Sequence, residues 1–351
     1  MKIALVTDTH FGARSDNLPF DTFFRRFYDD VFFPTIEREN IDHIFHLGDV
    51  FDRRKYINFN ILKNCREYFF DRLQNKEVYV LAGNHDTYFK NTNEVNSPDL
   101  LLKDYGFNVI DRPTTVTWND GTSILAMPWI CSDNYGECMT EIKNSTAPIL
   151  FGHLELSGFV MHKGMANDGG MDPRIFDKFD LVCSGHFHHR SRDKNITYLG
   201  NPYELTWNDY DDPRGFHILD TQTMELTFIE NPHRMFVRYV YDDTKVDPDT
   251  IDASQFADKI VKLVVANKTD FYKFDTFVDR LYKQNLLELK IIEDFSEFEA
   301  EALDDETLNI EDTMSLLNSF VDSTETDADK ARIKTLMREL YVEAQNQDSN
   351  D

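Results

Sequence analysis

The sequence predicts an α/β fold: two β-sheets packed as a sandwich with flanking helices, then a small α+β accessory domain and a C-terminal helical hairpin. Three observations lead there. In the first part of the chain, apolar β-forming runs alternate with helical patterns, the arrangement of parallel strands joined by right-handed crossovers. After it come shorter apolar runs and a hairpin signal, a texture richer in β. Past about residue 231 the pattern changes again, to strands around one helix with no ligand-type motif.

Taken in order, residues 2–7 make a buried strand with Asp8 at its carboxyl end. Asn17 and Pro19 open a long aromatic helical pattern reaching about Asn40, with a kink expected at Pro34. A second strand spans 41–47, a helix 57–74 and a third strand 77–81. Segments 114–118 and 123–127 flank Asn119-Asp120-Gly121, a hairpin turn. Short apolar strands at 147–151 and 181–184 deliver His153 and His186. In the accessory domain, strands are expected at 235–241, 260–266 and 286–292, with a helix over 270–284.

At 351 residues the chain exceeds what one core usually supports, so a main domain over 1–230 and an accessory domain over 231–292 are expected. Between Glu293 and Asp312 there are ten acidic residues and no Lys or Arg, which marks 293–309 as a solvated linker. Residues 310–344 carry two amphipathic stripes, Leu316, Leu317 and Phe320, then Ile333, Leu336, Met337, Leu340 and Tyr341; 345–351 is a disordered tail. Only four apolar residues stand together before Thr7, too few for a signal peptide, and no run approaches a membrane span; a cytoplasmic protein is expected. Cys65, Cys131, Cys138 and Cys183 are scattered without zinc or disulfide spacing. The net charge of -26 opposes unaided binding of a polyanion, so either the acid is segregated or a partner holds the nucleic acid. Arg14, Arg53, Arg54, Lys55, Lys90, Arg190, Arg192 and Lys194 are candidates for a local basic rim near the motifs.

Five short segments carry the chemistry: Asp8-Thr9-His10, Gly48-Asp49-Val50-Phe51-Asp52, Gly83-Asn84-His85-Asp86, Gly152-His153 and Gly185-His186-Phe187-His188. Each follows an apolar run, which places its polar residues at a strand's carboxyl end, where α/β folds collect ligands. Carboxylate, amide and imidazole donors without cysteine suit two divalent ions close enough to share a bridging carboxylate. Singly, any of these segments is a common polar turn; in this order they indicate a binuclear centre that cleaves phosphate esters.

These segments, together with Gly200-Asn201-Pro202 and Asp212-Pro213-Arg214-Gly215-Phe216, resemble the calcineurin-like metallophosphoesterases over about residues 1–220. More narrowly, the chain is similar to SbcD-type nuclease subunits of double-strand-break repair, the recombination endonuclease subunits of T-even-like bacteriophages among them. The resemblance implies one metal on Asp8, His10 and His188 and another on Asn84, His153 and His186, with Asp49 bridging. His85, next to Asn84, is then better placed as general acid, or as a charge at the leaving oxygen, than as a ligand. Mixed N/O ligation suits Mn²⁺, with Mg²⁺ or Fe²⁺ as alternatives; the resemblance also points to manganese.

In one place the chain departs from that pattern. Where many relatives carry a second catalytic histidine, three residues after the bridging aspartate, this chain has Asp52. An ionised aspartate gives no proton, so its expected role is to orient Arg53 or a ligand histidine. His43, His46, His162, His189, His217 and His233 match no motif position and are expected in the core or on the surface.

The implied function is a manganese-dependent 3′-to-5′ exonuclease on duplex DNA and endonuclease on single strands, with 231–292 capping the DNA and 310–344 docking on an SbcC-type ATPase. Two alternatives stand beside it: a small-molecule phosphodiesterase or protein phosphatase on the same fold, and a metal-dead scaffold. A homodimer is expected through the helices near 19–40 and 57–74. Phe20, Phe24, Phe27 and Val31 form one stripe there, and Phe23 and Phe32 widen it beyond what one core-facing side requires.

Overall fold

Strand β1 (Lys2–Val6) runs without a polar interruption from Ile3 to Val6 because both of its faces are covered. Side chains alternate across a strand: Ile3 and Leu5 enter one hydrophobic core, Ala4 and Val6 another. The same division recurs in β2 (His43–His46), with Phe45 on one side and Ile44 on the other, and in β3 (Glu77–Leu81), with Leu81 opposed to Val78 and Val80. These strands and β4 (Asn108–Ile110) are parallel neighbours. The computed structural model from which this is taken describes residues 1–162, 165–293, 321, 330 and 332–334.

Strands β5 (Thr114–Thr117) and β6 (Ser123–Met127) form the expected hairpin. Next come β7 (Ile149–His153), the short pair β8 (Val160–His162) and β9 (Met165–Ala166), β10 (Leu181–Gly185), β11 (Ser191–Asp193) and β12 (Ile196–Tyr198). The chain then returns through β13 (Gly215–Asp220), antiparallel to β1, and β14 (Glu225–Glu230). Two six-stranded sheets result, ordered β14-β13-β1-β2-β3-β4 and β11-β12-β10-β7-β6-β5. Ile3, Leu5, Phe45 and Leu81 of the first meet Ile124, Ile149, Phe151 and Cys183 of the second in a shared core. Each sheet's other face carries a core of its own, covered by helices. This is the expected sandwich with flanking helices.

The first long helical segment begins at Leu18–Phe27, where the Asn17 side chain accepts from the Phe20 amide. It passes through a π turn, Tyr28–Phe32, into Phe33–Arg38. The kink expected at Pro34 is therefore a π-bulge: proline has no N–H for the ladder, and the preceding Phe33 amide reaches back to the Tyr28 carbonyl. A second segment behaves alike, running from Phe59–Cys65 through a π turn, Arg66–Phe70, to Asp71–Leu73.

The six apolar side chains that motivated a dimer face on the first segment are at most 8% exposed. They pack within one chain, Phe24 stacking on Tyr203 at 3.9 Å and Phe27 and Phe32 meeting Phe216. The stripe is wide because the segment lies against both the sheet and the second helical segment, so these six side chains belong to the chain's own core and are no evidence for a second copy.

The chain divides into two compact units. The first holds Met1–Arg238, Ile251–Val261 and Asp275–Leu289; the second holds Tyr239–Thr250, Lys262–Phe274 and the described residues from Lys290. Strands β15 (Phe236–Asp242), β16 (Ile260–Asn267) and β17 (Glu288–Ile292) form a three-stranded sheet, and the helix of this region is Phe271–Tyr282. The acidic linker beyond Glu293, the helical hairpin and the tail lie outside the described residues, apart from helical backbone at 321, 330 and 332–334. Among the described residues no helix is long and apolar enough to cross a membrane.

Candidate metal centre

The ligand-type residues sit where strands end, and the backbone turns sharply to aim them. Asp8 follows β1, Asp49 lies beyond β2, and Asn84 lies beyond β3, while His153 is the last residue of β7 and His186 follows β10. Asp8, His10, Asp49 and His186 all adopt positive φ, between 42° and 89°, a conformation that costs L-residues energy and is retained at sites where geometry is imposed. The glycines beside them allow close approach. A Cβ on Gly83 would lie 2.3 Å from the Asp49 amide nitrogen, and one on Gly185 2.1 Å from Thr7 Oγ1.

The seven positions assigned to metal converge. Ligand atoms of Asp8, His10 and His188 lie within 4.8 Å of one another, as do those of Asp49, His153 and His186. A third group, His10, Asp49 and His85, joins the two. Asn84 Oδ1 is 2.8 Å from His153 Nε2 and 3.0 Å from His186 Nδ1. Asp49 Oδ2 is 3.3 Å from His153 Nε2 and 3.8 Å from His10 Nε2, so this carboxylate does stand between the two sets.

The protons show what the centre is built to hold. A carbonyl only accepts, so His153 Nδ1 donates to Leu47 O at 2.7 Å and turns Nε2 toward two acceptor oxygens. His10 Nε2 and His188 Nε2 face each other at 3.0 Å. Such an inward set of lone pairs requires positive charge at its centre. Burial alone would lower the pKa of His10, but Asp52, Asp49 and Asp8 outweigh it and push it up to about 9. His153 is likewise buried, and Asp49 and Asp8 push it up to about 9. Burial works against ionisation of Asp49 too, yet His153, His85 and His10 hold its carboxyl well below the usual range. Oxygen and imidazole donors in this arrangement fit two divalent cations.

His85 is anchored twice: its amide donates to Asp49 Oδ1 at 2.8 Å, and its Nδ1 to the Asp52 carbonyl at 2.7 Å. Nδ1 is thereby committed to the Asp52 carbonyl. Asp52 Oδ1 is 3.5 Å from His10 Nδ1. Despite burial, His10, then His85 and Arg53, keep the Asp52 carboxyl below its ordinary range, so it is a carboxylate standing behind His10.

Several residues that brace the centre carried no role in the sequence reading. Asp86 accepts from the amides of Val50, Phe51 and Gly83, tying the Asp49 turn to the Asn84 turn. The Tyr203 hydroxyl donates to the Thr9 carbonyl between Asp8 and His10 at 2.6 Å. Buried Arg214 donates to the His188 carbonyl and to Asn201, and pairs with Asp209 at 2.9 Å and Asp212 at 2.7 Å. Trp129 packs its ring 5.1 Å from that of His186. Of these, Asp86, Asn201, Asp212 and Arg214 belong to the motifs above, but what they do depends on partners outside their own motif, near positions 50 and 188. Of the remaining histidines, His46 and His217 are buried, and burial pushes the pKa of each down to about 3; His189 pairs with Asp212 at 2.7 Å.

Residues 1–224 match the model of the calcineurin-like phosphoesterase superfamily domain. Exonuclease subunit 1 of Enterobacteria phage T4 is 32% identical over 353 residues, covering 98% of this chain and 99% of that protein. Among solved structures, an archaeal phosphodiesterase aligns at 14% identity over 66% of this chain and 100% of its own, with a TM-score of 0.33. A glutamine-dependent NAD+ synthetase from Acinetobacter baumannii aligns at 10% identity over 97% and 72%, with a TM-score of 0.29. At these scores neither structural likeness bears on function.

Proposed function

The chain belongs to the calcineurin-like phosphoesterase superfamily, and from that premise we propose that it is a DNA nuclease subunit with two catalytic metal ions. The carrying observation is the convergence of both ligand groups on Asp49, next to a histidine anchored for proton transfer. In this reading Asp8, His10 and His188 hold one ion, Asn84, His153 and His186 the other, and Asp49 bridges. Divalent ions bound there, with manganese as the proposed pair, would polarise the scissile phosphate and acidify a water nucleophile.

The protein's own part is positioning and proton movement. Leu47 O and Asp52 orient His153 and His10. Arg214 holds the backbone of the His188 turn. With Nδ1 fixed on the Asp52 carbonyl, His85 presents Nε2 as the group that protonates the leaving oxygen or balances its charge. The complete set of competent donors argues against a metal-dead scaffold.

Nuclease action is supported by the family and by the name of the phage T4 relative, an exonuclease subunit; DNA as substrate, with 3′-to-5′ exonuclease and single-strand endonuclease modes, is what the resemblance to SbcD-type subunits adds to the proposal. That relative is a subunit, which supports a partner; we take the partner to be an SbcC-type ATPase docked through 310–344, with 231–292 capping the DNA, and such a partner would offset the charge of -26. Pairing of two chains through the helices near 19–40 and 57–74 is supported by resemblance alone. We place the activity in the host cytoplasm.

The test is an assay in manganese and in magnesium, with and without the cognate ATPase, on labelled duplex DNA, a bis-aryl phosphodiester and a phosphomonoester. Cleavage of DNA in manganese, stimulated by the ATPase, is expected. Hydrolysis confined to the phosphomonoester would reverse the reading.

A further inference from the structure

Beside His85 and Asp52 lies a cleft of about 200 Å³ to which the proposed mechanism gives no task. Phe51, Ile57 and Leu101 contribute apolar lining; Arg54, Lys55, Tyr56 and Tyr88 also line it. It is smaller than the roughly 300–1,000 Å³ that encloses a drug-sized ligand, and suits one flat ring system. Tyr56 is 66% exposed, Tyr88 41% and the adjoining Phe89 46%. Large aromatic side chains left this open on one rim mark a binding surface.

The cations beside these rings give the ligand its charge. Arg53, Arg54 and Lys55 are consecutive in a chain of net charge -26, a local cluster of positive charge even though Arg53 pairs with Asp16 at 2.8 Å and Asp86 also lines the cleft. Arg53 lies 5.0 Å from the Tyr56 ring centre and Lys55 5.9 Å from that of Tyr88. The wall opposite is preformed: Tyr88 N–H donates to Val95 O at 2.9 Å and Ser97 N–H to Asp86 O at 2.8 Å, closing the loop that carries Tyr88 and Phe89. Lys55 is three positions along the chain from Asp52, at most about 10 Å when extended. A phosphate at the metal centre and a neighbouring base in the cleft are therefore within the reach of one or two nucleotides.

We infer that this cleft is a base-stacking subsite, in which an unpaired nucleobase next to the scissile phosphate lies against Tyr56 and Tyr88 while Arg54 and Lys55 hold the adjoining phosphate. Aromatic faces beside cations are how single strands are gripped without sequence preference. A second copy of this chain fits less well, because an isologous contact through the cleft would set like charges against one another. The inference rests on the nuclease reading and narrows its substrate to DNA with an unstacked nucleotide at the cut.

The experiment measures binding of a labelled oligothymidylate of about 12 nucleotides, within the roughly 4–16 nucleotides of known single-strand sites, against the same backbone lacking bases, with EDTA present. Wild type should favour the base-bearing strand by on the order of tenfold to a hundredfold. Tyr56→Ala and Tyr88→Ala should each remove much of that preference, and Lys55→Ala should weaken both strands alike. Hydrolysis of a bis-aryl phosphodiester in manganese should stay at the wild-type rate in all three variants. A wild type blind to the bases, or tyrosine variants that keep the preference, would overturn the subsite. Tyrosine variants that bind DNA normally but lower the mass of a dimer would make the patch a protein interface and overturn it equally. Loss of preference in the variants, in a chain that cuts no DNA while still hydrolysing the aryl diester, would uphold the cleft and count against the nuclease reading alone.

Discussion

The two ligand groups of the metal centre are built from different materials. Around His10 the charges are dense: Asp8 lies beside it and the Asp52 carboxylate 3.5 Å behind its outer nitrogen. Around His153 the added oxygen donor is the neutral amide of Asn84, and the bracing comes from the Leu47 carbonyl and the Trp129 ring. Both share Asp49. Coulomb attraction therefore favours the cation of the first group, while the second adds only neutral donors to the shared Asp49. One ion should bind tightly and the other more weakly, which makes occupancy of the second the step sensitive to metal supply.

Removing what the groups share should have the largest effect. Asp49→Ala is expected to reduce the metal stoichiometry below two and to lower phosphodiester cleavage by at least about 10³-fold. Elemental analysis with a bis-aryl phosphodiester assay measures both, and a variant retaining two ions would break the bridging assignment. Next comes His85→Asn, which touches neither group's ligand set. It should keep both ions and lose about 10²- to 10⁴-fold in rate; wild-type cleavage of DNA by this variant would remove His85 from the chemistry.

Asp52→Asn bears directly on the difference between the groups. It should weaken the tighter manganese site by about 10- to 100-fold, the usual scale for a lost partner behind a ligand, and leave the weaker site unchanged. A manganese titration followed by calorimetry resolves the two phases, and equal weakening of both would show that the groups are not electrostatically distinct.

The smallest effect on activity is expected from a carboxylate outside both groups. Glu204 is buried and takes the amides of Met235 and Phe236, and burial pushes its pKa up to about 7. The unfolded chain releases this proton near pH 4.5, so between about 4.5 and 7 the folded state binds more protons and stability falls as pH rises. Glu204→Gln should abolish that part of the slope. Urea midpoints of both proteins at pH 5 and pH 7.5 measure it, and an unchanged slope would mean that Glu204 ionises in the fold at its ordinary value.

The legible parts of the sequence were those with a local physical signature. A strand covered on both faces reads as a continuous apolar run, so β3 was bounded at Glu77–Leu81 and β1, β2, β7 and β10 were found to within two residues at either end. A polar residue after such a run is recognisable by its own type, so the candidate donors could be picked out, while their assignment to two metals came from the family resemblance. Less legible were strands of three residues, Asn108–Ile110, Ser191–Asp193 and Ile196–Tyr198, too short for a period to register, and the polar helix Tyr135–Asn144. The aromatic stripe on Leu18–Phe27 was legible as a stripe, but its partner was not, because Tyr203 and Phe216 lie far away in the chain.

By itself, then, the sequence determined the order of strands and ligands and the chemistry of the donors, since both follow from residue type and local spacing. Only the tertiary structure decided which groups share a proton or a charge. It put Asp52 behind His10, the Leu47 carbonyl under His153, Arg214 against the His188 turn, and the phenylalanines inside rather than at an interface. Those relations are distances between residues remote in sequence, set when two sheets pack, and no local pattern encodes them.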